Sequence, residues 1–156
     1  MGSSRDELRV LVVAPVGRDA AALAEALAAQ GIATEVCHGL EVCSRRLAEG
    51  AGALLVTQEG LNDGSPDSLL AALDRQPSWS TLPVIVLAGP DAQGRQELLV
   101  QLGLANGVVT LLERPVRRES LVSAVQVALG ARRRQYEVRD LLEERRRRER
   151  QLREQA

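Results

Sequence analysis

Several short stretches carry side chains able to do chemistry. Thr57-Gln58-Glu59 closes an apolar run with a hydroxyl, an amide and a carboxylate, and Arg114-Pro115 closes another with a fixed cation. Cys37, His38 and Cys43 are potential metal ligands, but three groups at this spacing do not make a structural zinc set. They read as a loop histidine and two buried thiols. The turn after the first apolar run, APVGRDA, has a single glycine, so neither a P-loop nor a dinucleotide fingerprint is present. With one histidine in the chain, no Ser-His-Asp set is visible. Asp63-Gly64 is an ordinary turn pair. The run RRRR at 145–148 would attract polyanions, yet acids flank it on both sides, so it reads as a charged helix face. Trp79 lies on the connection into an apolar run and is expected to plug the edge of the core; the other reading is an exposed docking residue.

Composition narrows the classes further. The 156 residues suffice for one domain and an appendage, and 45% of them are hydrophobic. No apolar run approaches about 18 residues, so no membrane insertion is expected. The start, MGSSRDELRV, lacks a signal-peptide core, and two cysteines give no disulfide framework. A cytoplasmic location is therefore expected. With one Trp, one Tyr and no Phe, the core must be aliphatic, and stacking platforms for single-stranded nucleic acid are missing. No nucleic-acid partner, metal or cofactor is expected. Residues 131–156 hold 10 arginines and 6 acids, whereas residues 1–130 hold 10 arginines and 15 acids. The chain is an acidic body with a basic, charge-dense tail.

The elements that must position these residues follow from periodicity. RVLVVA (9–14), IATEVC (32–37), GALLVT (52–57), LPVIVLAG (82–89) and GVVTLLE (107–113) read as strands. Between and after them, 18–31, 40–50, 66–76, 91–103 and 117–130 read as helices. Gly31 is a C-terminal cap candidate and Ser65 an N-terminal one; Gly94 weakens the helix over 91–103. QEGLNDGS, after the third strand, reads as a polar loop. Five strand–helix alternations predict an α/β fold: a flavodoxin-like five-stranded parallel sheet of order 2-1-3-4-5, with helices on both faces. No independent second domain or short-period repeat is visible.

The tail, 131–156, has no Pro and no Gly and is expected to continue the fifth helix or restart after Gly130. Val138, Leu142, Arg145, Glu149 and Leu152 follow the 4-3-4-3 rhythm of a coiled coil; Val138, Leu141, Arg145, Arg148 and Leu152 give a competing register. Arginine at seam positions weakens either one, and a solvated helix or frayed end is the plainer reading. Pairs such as Glu144 and Arg148 support the helix by a few tenths of a kcal/mol. The tail reads as too polar to fold onto the body. It is expected to meet another copy of itself or a following domain.

The five-fold alternation, LPVIVLAG and the closing LLERPVRRESLVSAVQVAL resemble the receiver domains of two-component response regulators. The resemblance spans roughly residues 8–130, with 131–156 as a helical coiled-coil linker. In that family a Lys-Pro pair with a commonly cis bond follows the fifth strand; here Arg114-Pro115 stands in its place. The tail, RRRQYEVRDLLEE, is similar to the signalling helices that join such modules to the catalytic core of bacterial histidine kinases. The resemblance thus implies the front piece of a longer kinase, with a homodimer and downstream kinase domains of the same polypeptide as the expected partners.

The same resemblance implies a phosphorylation pocket, and the sequence departs from it at each position. Ala14 and Pro15 stand where metal-binding acids are expected, and no carboxylate follows until Asp19. Thr57 stands for the acceptor Asp, Ala88 for the hydroxyl after the fourth strand, and Arg114 for the lysine, whose point charge it does not reproduce. Leu111 replaces the usual switching aromatic. The expectation is a pseudo-receiver: non-enzymatic, with the scaffold kept and the Mg²⁺-dependent chemistry lost. Glu59 is either an exposed loop glutamate or a partner of Arg114 that imitates an occupied site. Three functions remain open. One is a phosphorylation-independent module relaying a signal through Val138, Leu141, Leu142 and Leu152 of the tail. Another is a receiver phosphorylated at a non-standard residue. The third is a domain binding a small molecule in a nearly uncharged pocket of Pro15, Thr57, Ala88 and Gly89.

Overall fold

A computed structural model describes residues 6–63, 66–89, 94, 96, 97, 100, 102 and 108–155. The strands are β1 (Val10–Val13), β2 (Thr34–Val36), β3 (Ala53–Thr57), β4 (Pro83–Ala88) and β5 (Val108–Glu113). All neighbours pair in parallel, in the order β2-β1-β3-β4-β5. This is the predicted sheet. The helices are α1 (Asp19–Ala28), α2 (Leu40–Leu47), α3 (Gln58–Asn62), α4 (Asp67–Asp74) and α5 (Arg118–Gln155). A 3-10 turn, Asp6–Leu8, precedes β1.

The apolar runs work because the three central strands are buried on both faces. Alternate residues serve opposite layers. Leu11, Val13, Leu54, Val56, Val84 and Val86 pack with Leu40, Cys43, Leu69 and Leu73 of α2 and α4. Val10, Val12, Ala53, Leu55, Ile85 and Leu87 pack with Leu27 of α1 and Leu121, Val125 and Leu129 of α5. Gly52 enters β3 beneath α5, where a Cβ would lie 2.4 Å from the Leu8 carbonyl oxygen and from Leu129 Cδ2. No side chain fits there.

Four local expectations meet the structure with different outcomes. The loop expected after β3 begins as α3, because the Thr57 hydroxyl accepts the Gly60 N–H at 3.1 Å and caps a helical turn. Pro66 precedes α4, and Ser65 lies outside the described residues. Of the helix expected over 91–103, Gly94, Gln96, Glu97, Val100 and Leu102 are helical, and the rest lies outside the described residues. Gly31, the expected cap, takes φ +74° where the chain leaves α1.

The largest correction concerns the tail. Of the two expectations for its backbone, continuation of the fifth helix holds: α5 runs unbroken for 38 residues, about 57 Å at 1.5 Å per residue. But the tail is not too polar to touch the body. Tyr136 is 1% exposed and Arg132 4%. The apolar stripe Leu121, Val125, Leu129 continues through Arg132 to Tyr136 at helical spacing, and the arginine stem and tyrosine ring carry the packing. From residue 141 to 155 every side chain is exposed.

Candidate functional site

The C-terminal ends of the central strands bring the predicted pocket positions together. Ala14, Thr57 and Ala88 are buried there, and Pro15 is exposed. Thr57 spends its hydroxyl on the α3 cap. Gln58 is 8% exposed, and its Oε1 accepts the Gly89 N–H at 2.9 Å, tying the end of β3 to the end of β4. Arg114 donates its backbone N–H to the Ala88 carbonyl at 2.9 Å, and the Arg114–Pro115 peptide bond is cis. The Arg114 guanidinium then reaches back across the strand ends to Glu59, with Nη2 2.5 Å from Oε1.

This ion pair spans the C-terminal ends of β3 and β5. A Cβ on Gly89 would stand 3.5 Å from Arg114 Nη2 and 3.8 Å from Gln58 Oε1. The hydrogen bond from Arg114 holds the Glu59 carboxyl below the usual carboxylate range, and the same contact raises Arg114. Glu59 Oε2 is buried and has no hydrogen-bond partner among the described residues. The nearly uncharged pocket expected at this end is therefore corrected: a carboxylate and a guanidinium stand in it, because α3 turns Glu59 back over β3 instead of leaving it on a loop.

A divalent cation does not fit this donor set. Ala14 and Pro15 supply no carboxylate, and Glu59 is already matched by a guanidinium that would repel the ion. Among the described residues no group of three His, Cys, Asp or Glu side chains is placed to hold a metal. Cys37 and Cys43 are buried free thiols, and His38 is exposed.

The opposite end of the sheet holds an arrangement that sequence reading missed. The Tyr136 hydroxyl donates to the Ala51 carbonyl at 2.9 Å and accepts the Ala51 N–H at 3.2 Å. Arg132 Nε donates to the same carbonyl at 2.8 Å, and its Nη1 donates to Ser80 Oγ at 2.8 Å and Gln135 Oε1 at 2.7 Å. Gln135 also clasps the backbone of Thr81, accepting from its N–H at 2.7 Å and donating to its carbonyl at 2.9 Å. The guanidiniums of Arg132 and Arg139 each lie 4.7 Å from the Tyr136 ring centroid. Arg139 pairs with Glu7. Trp79 is half-buried, with its ring centroid 5.7 Å from that of Tyr136. The available signal was the lone tyrosine, placed seven residues after Leu129 on the helix face that already carried the core.

The expected relay positions lie beyond this clasp. Val138, Leu141, Leu142 and Leu152 are 47, 65, 36 and 67% exposed. Around them Arg148 pairs with Glu144 at 2.7 Å and Arg145 with Glu149 at 3.3 Å. No helix of the described residues is long and apolar enough to cross a membrane.

Sheet order, helix placement and the long last helix define the fold of CheY-like response regulator receiver domains. Among solved structures the chain is similar to a sensor protein from Polaromonas sp. JS666, at 21% identity and a TM-score of 0.63, covering 80% of this chain and 98% of that one. It is also similar to a CheY-like receiver domain protein from Methanospirillum hungatei JF-1 (14% identity, TM-score 0.64, 81% and 97% covered). A receiver protein from Pseudoalteromonas atlantica gives 20%, 0.59, and 78% and 97%. No family model matches the chain, and no curated protein does.

Proposed function

We propose that this chain is a signalling module of the two-component type: a pseudo-receiver that works without phosphorylation and relays a signal through α5. The observation that carries this reading is the Glu59–Arg114 ion pair. It sets a partly exposed charge pair where phosphate chemistry would take place, beside a threonine whose hydroxyl accepts the Gly60 N–H. The module dimerises through the exposed part of α5, and α5 leads to the kinase region of a histidine kinase. Its role is non-enzymatic.

Support for the relay comes from the two halves of α5. Its first half is fixed to the body by the core and by Arg132, Gln135 and Tyr136. Its second half is exposed and carries two competing apolar registers. A helix so divided transmits any rotation of its base to whatever its far end packs against.

The test is exposure of the full chain to a small-molecule phosphoryl donor with Mg²⁺, followed by intact-mass measurement. No phosphorylated species is expected. A stoichiometric adduct on Thr57, Glu59 or Asp63 would establish the atypical receiver instead.

A further inference from the structure

The base of α5 borders a groove of about 760 Å³ at the N-terminal ends of the strands, between α2, α4 and α5. That size suits a small organic ligand, for which pockets run about 300–1,000 Å³. Leu47, Pro77 and the half-buried Trp79 make its apolar side, over the buried Leu73, Leu82 and Tyr136.

Arg132 lines the same groove and is 4% exposed. A buried guanidinium normally has a carboxylate beside it, because desolvating a charge is costly unless it is paired. Its partners among the described residues are neutral oxygens, those of Ala51, Ser80 and Gln135. Those bonds use Nε and Nη1, and among the described residues the guanidinium is otherwise acted on by the Tyr136 hydroxyl and, at longer range, by the Glu7 carboxylate. Glu7, the nearby acid, is taken up by Arg139. Glu49, also on the groove, lies with Arg46 at 3.3 Å and Arg9 at 3.8 Å. Desolvation accordingly lowers the Arg132 pKa.

We propose that this groove binds a small aromatic carboxylate. Arg132 Nη2 takes the carboxylate, while Trp79, Leu47 and Pro77 cover the ring. The ligand supplies the anion that the buried guanidinium lacks, in a setting where a charge-assisted hydrogen bond is strong. Because Arg132 and Tyr136 belong to α5, an occupant would touch body and helix at once and serve as an input to the relay. Only that regulatory consequence rests on the proposed function; the binding itself does not.

Trp79 is the chain's single tryptophan, so its emission reports on the groove directly. The experiment titrates the full chain with benzoate, with benzamide as the uncharged analogue and acetate as the anion without a ring. A saturable change in Trp79 emission is expected with benzoate, with binding roughly tenfold or more weaker for benzamide, acetate and the Arg132→Gln variant. Should that variant fail to fold, amide NMR of the unmodified chain decides: benzoate is expected to shift Gly50, Trp79, Arg132 and Tyr136. Absence of saturation up to tens of millimolar, equal responses to all three probes, or shifts confined to the other end of the sheet would each overturn the proposal.

Discussion

Glu59 and Arg114 reach each other because two local events coincide. The Thr57 cap turns the chain into α3, and β5 ends with the Arg114 guanidinium aimed back over β3 and β4. The Glu59 side chain is 40% exposed, so water and salt screen the pair. Its sign with pH is nevertheless fixed. A carboxyl whose folded pKa is depressed stabilises the fold fully above the unfolded value of about 4.3 and loses that contribution as pH falls through the folded value. Glu59→Gln is therefore expected to be less stable than the parent at neutral pH and low salt. The difference should vanish on acidification below that range, and denaturant melts across pH check it. At the other end, Tyr136→Phe removes the hydroxyl that satisfies the Ala51 N–H and shares its carbonyl. The expected loss is about 1–3 kcal/mol, read as a shift in denaturant midpoint.

At the scale of elements, strand and helix were largely legible, because a doubly covered parallel sheet needs continuous apolar strands and this sequence has them at β1, β3 and β4. What escaped were places where polar residues do structural work. The α3 helix hides in QEGLNDGS, since its start depends on one threonine hydroxyl and its sequence holds glycine. The docking of α5 hides in Arg132, Gln135 and Arg139, which read as solvated charge until their partners on the body are known. At the candidate site, the departures at Ala14, Thr57, Ala88 and Arg114 were visible as residue types. The Gln58 bridge to Gly89 was not, because nothing local requires a glutamine side chain to cross between strands. Continuity of α5 has its own test. Gly130 sits inside the helix with open space where a Cβ would be. Gly130→Ala is expected to raise stability by about 0.5–1 kcal/mol, measured by chemical denaturation.

For the whole molecule, the two ends of the sheet carry different arrangements. At the strand C-termini, where the sequence leads one to expect lost phosphate chemistry, Gln58 bonds to Gly89 and Glu59 pairs with Arg114. The strand N-termini hold the groove and the clasp on α5, so a change there lies next to the helix that leaves the body. The basic, charge-dense tail continues as a helix whose last 15 residues, 141–155, are exposed throughout. An isolated helix of that length is marginal in water. In the proposed relay, Val138, Leu141, Leu142 and Leu152 are the exposed positions that pairing with a second copy would cover. The account rests on that association. Light scattering of the full chain and of a version ending at Asp140, which keeps the Tyr136 clasp, tests it directly. The prediction is a dimer for the full chain and a monomer for the shortened one. Equal masses, whether both monomer or both dimer, would contradict a relay built on pairing of the exposed half of α5.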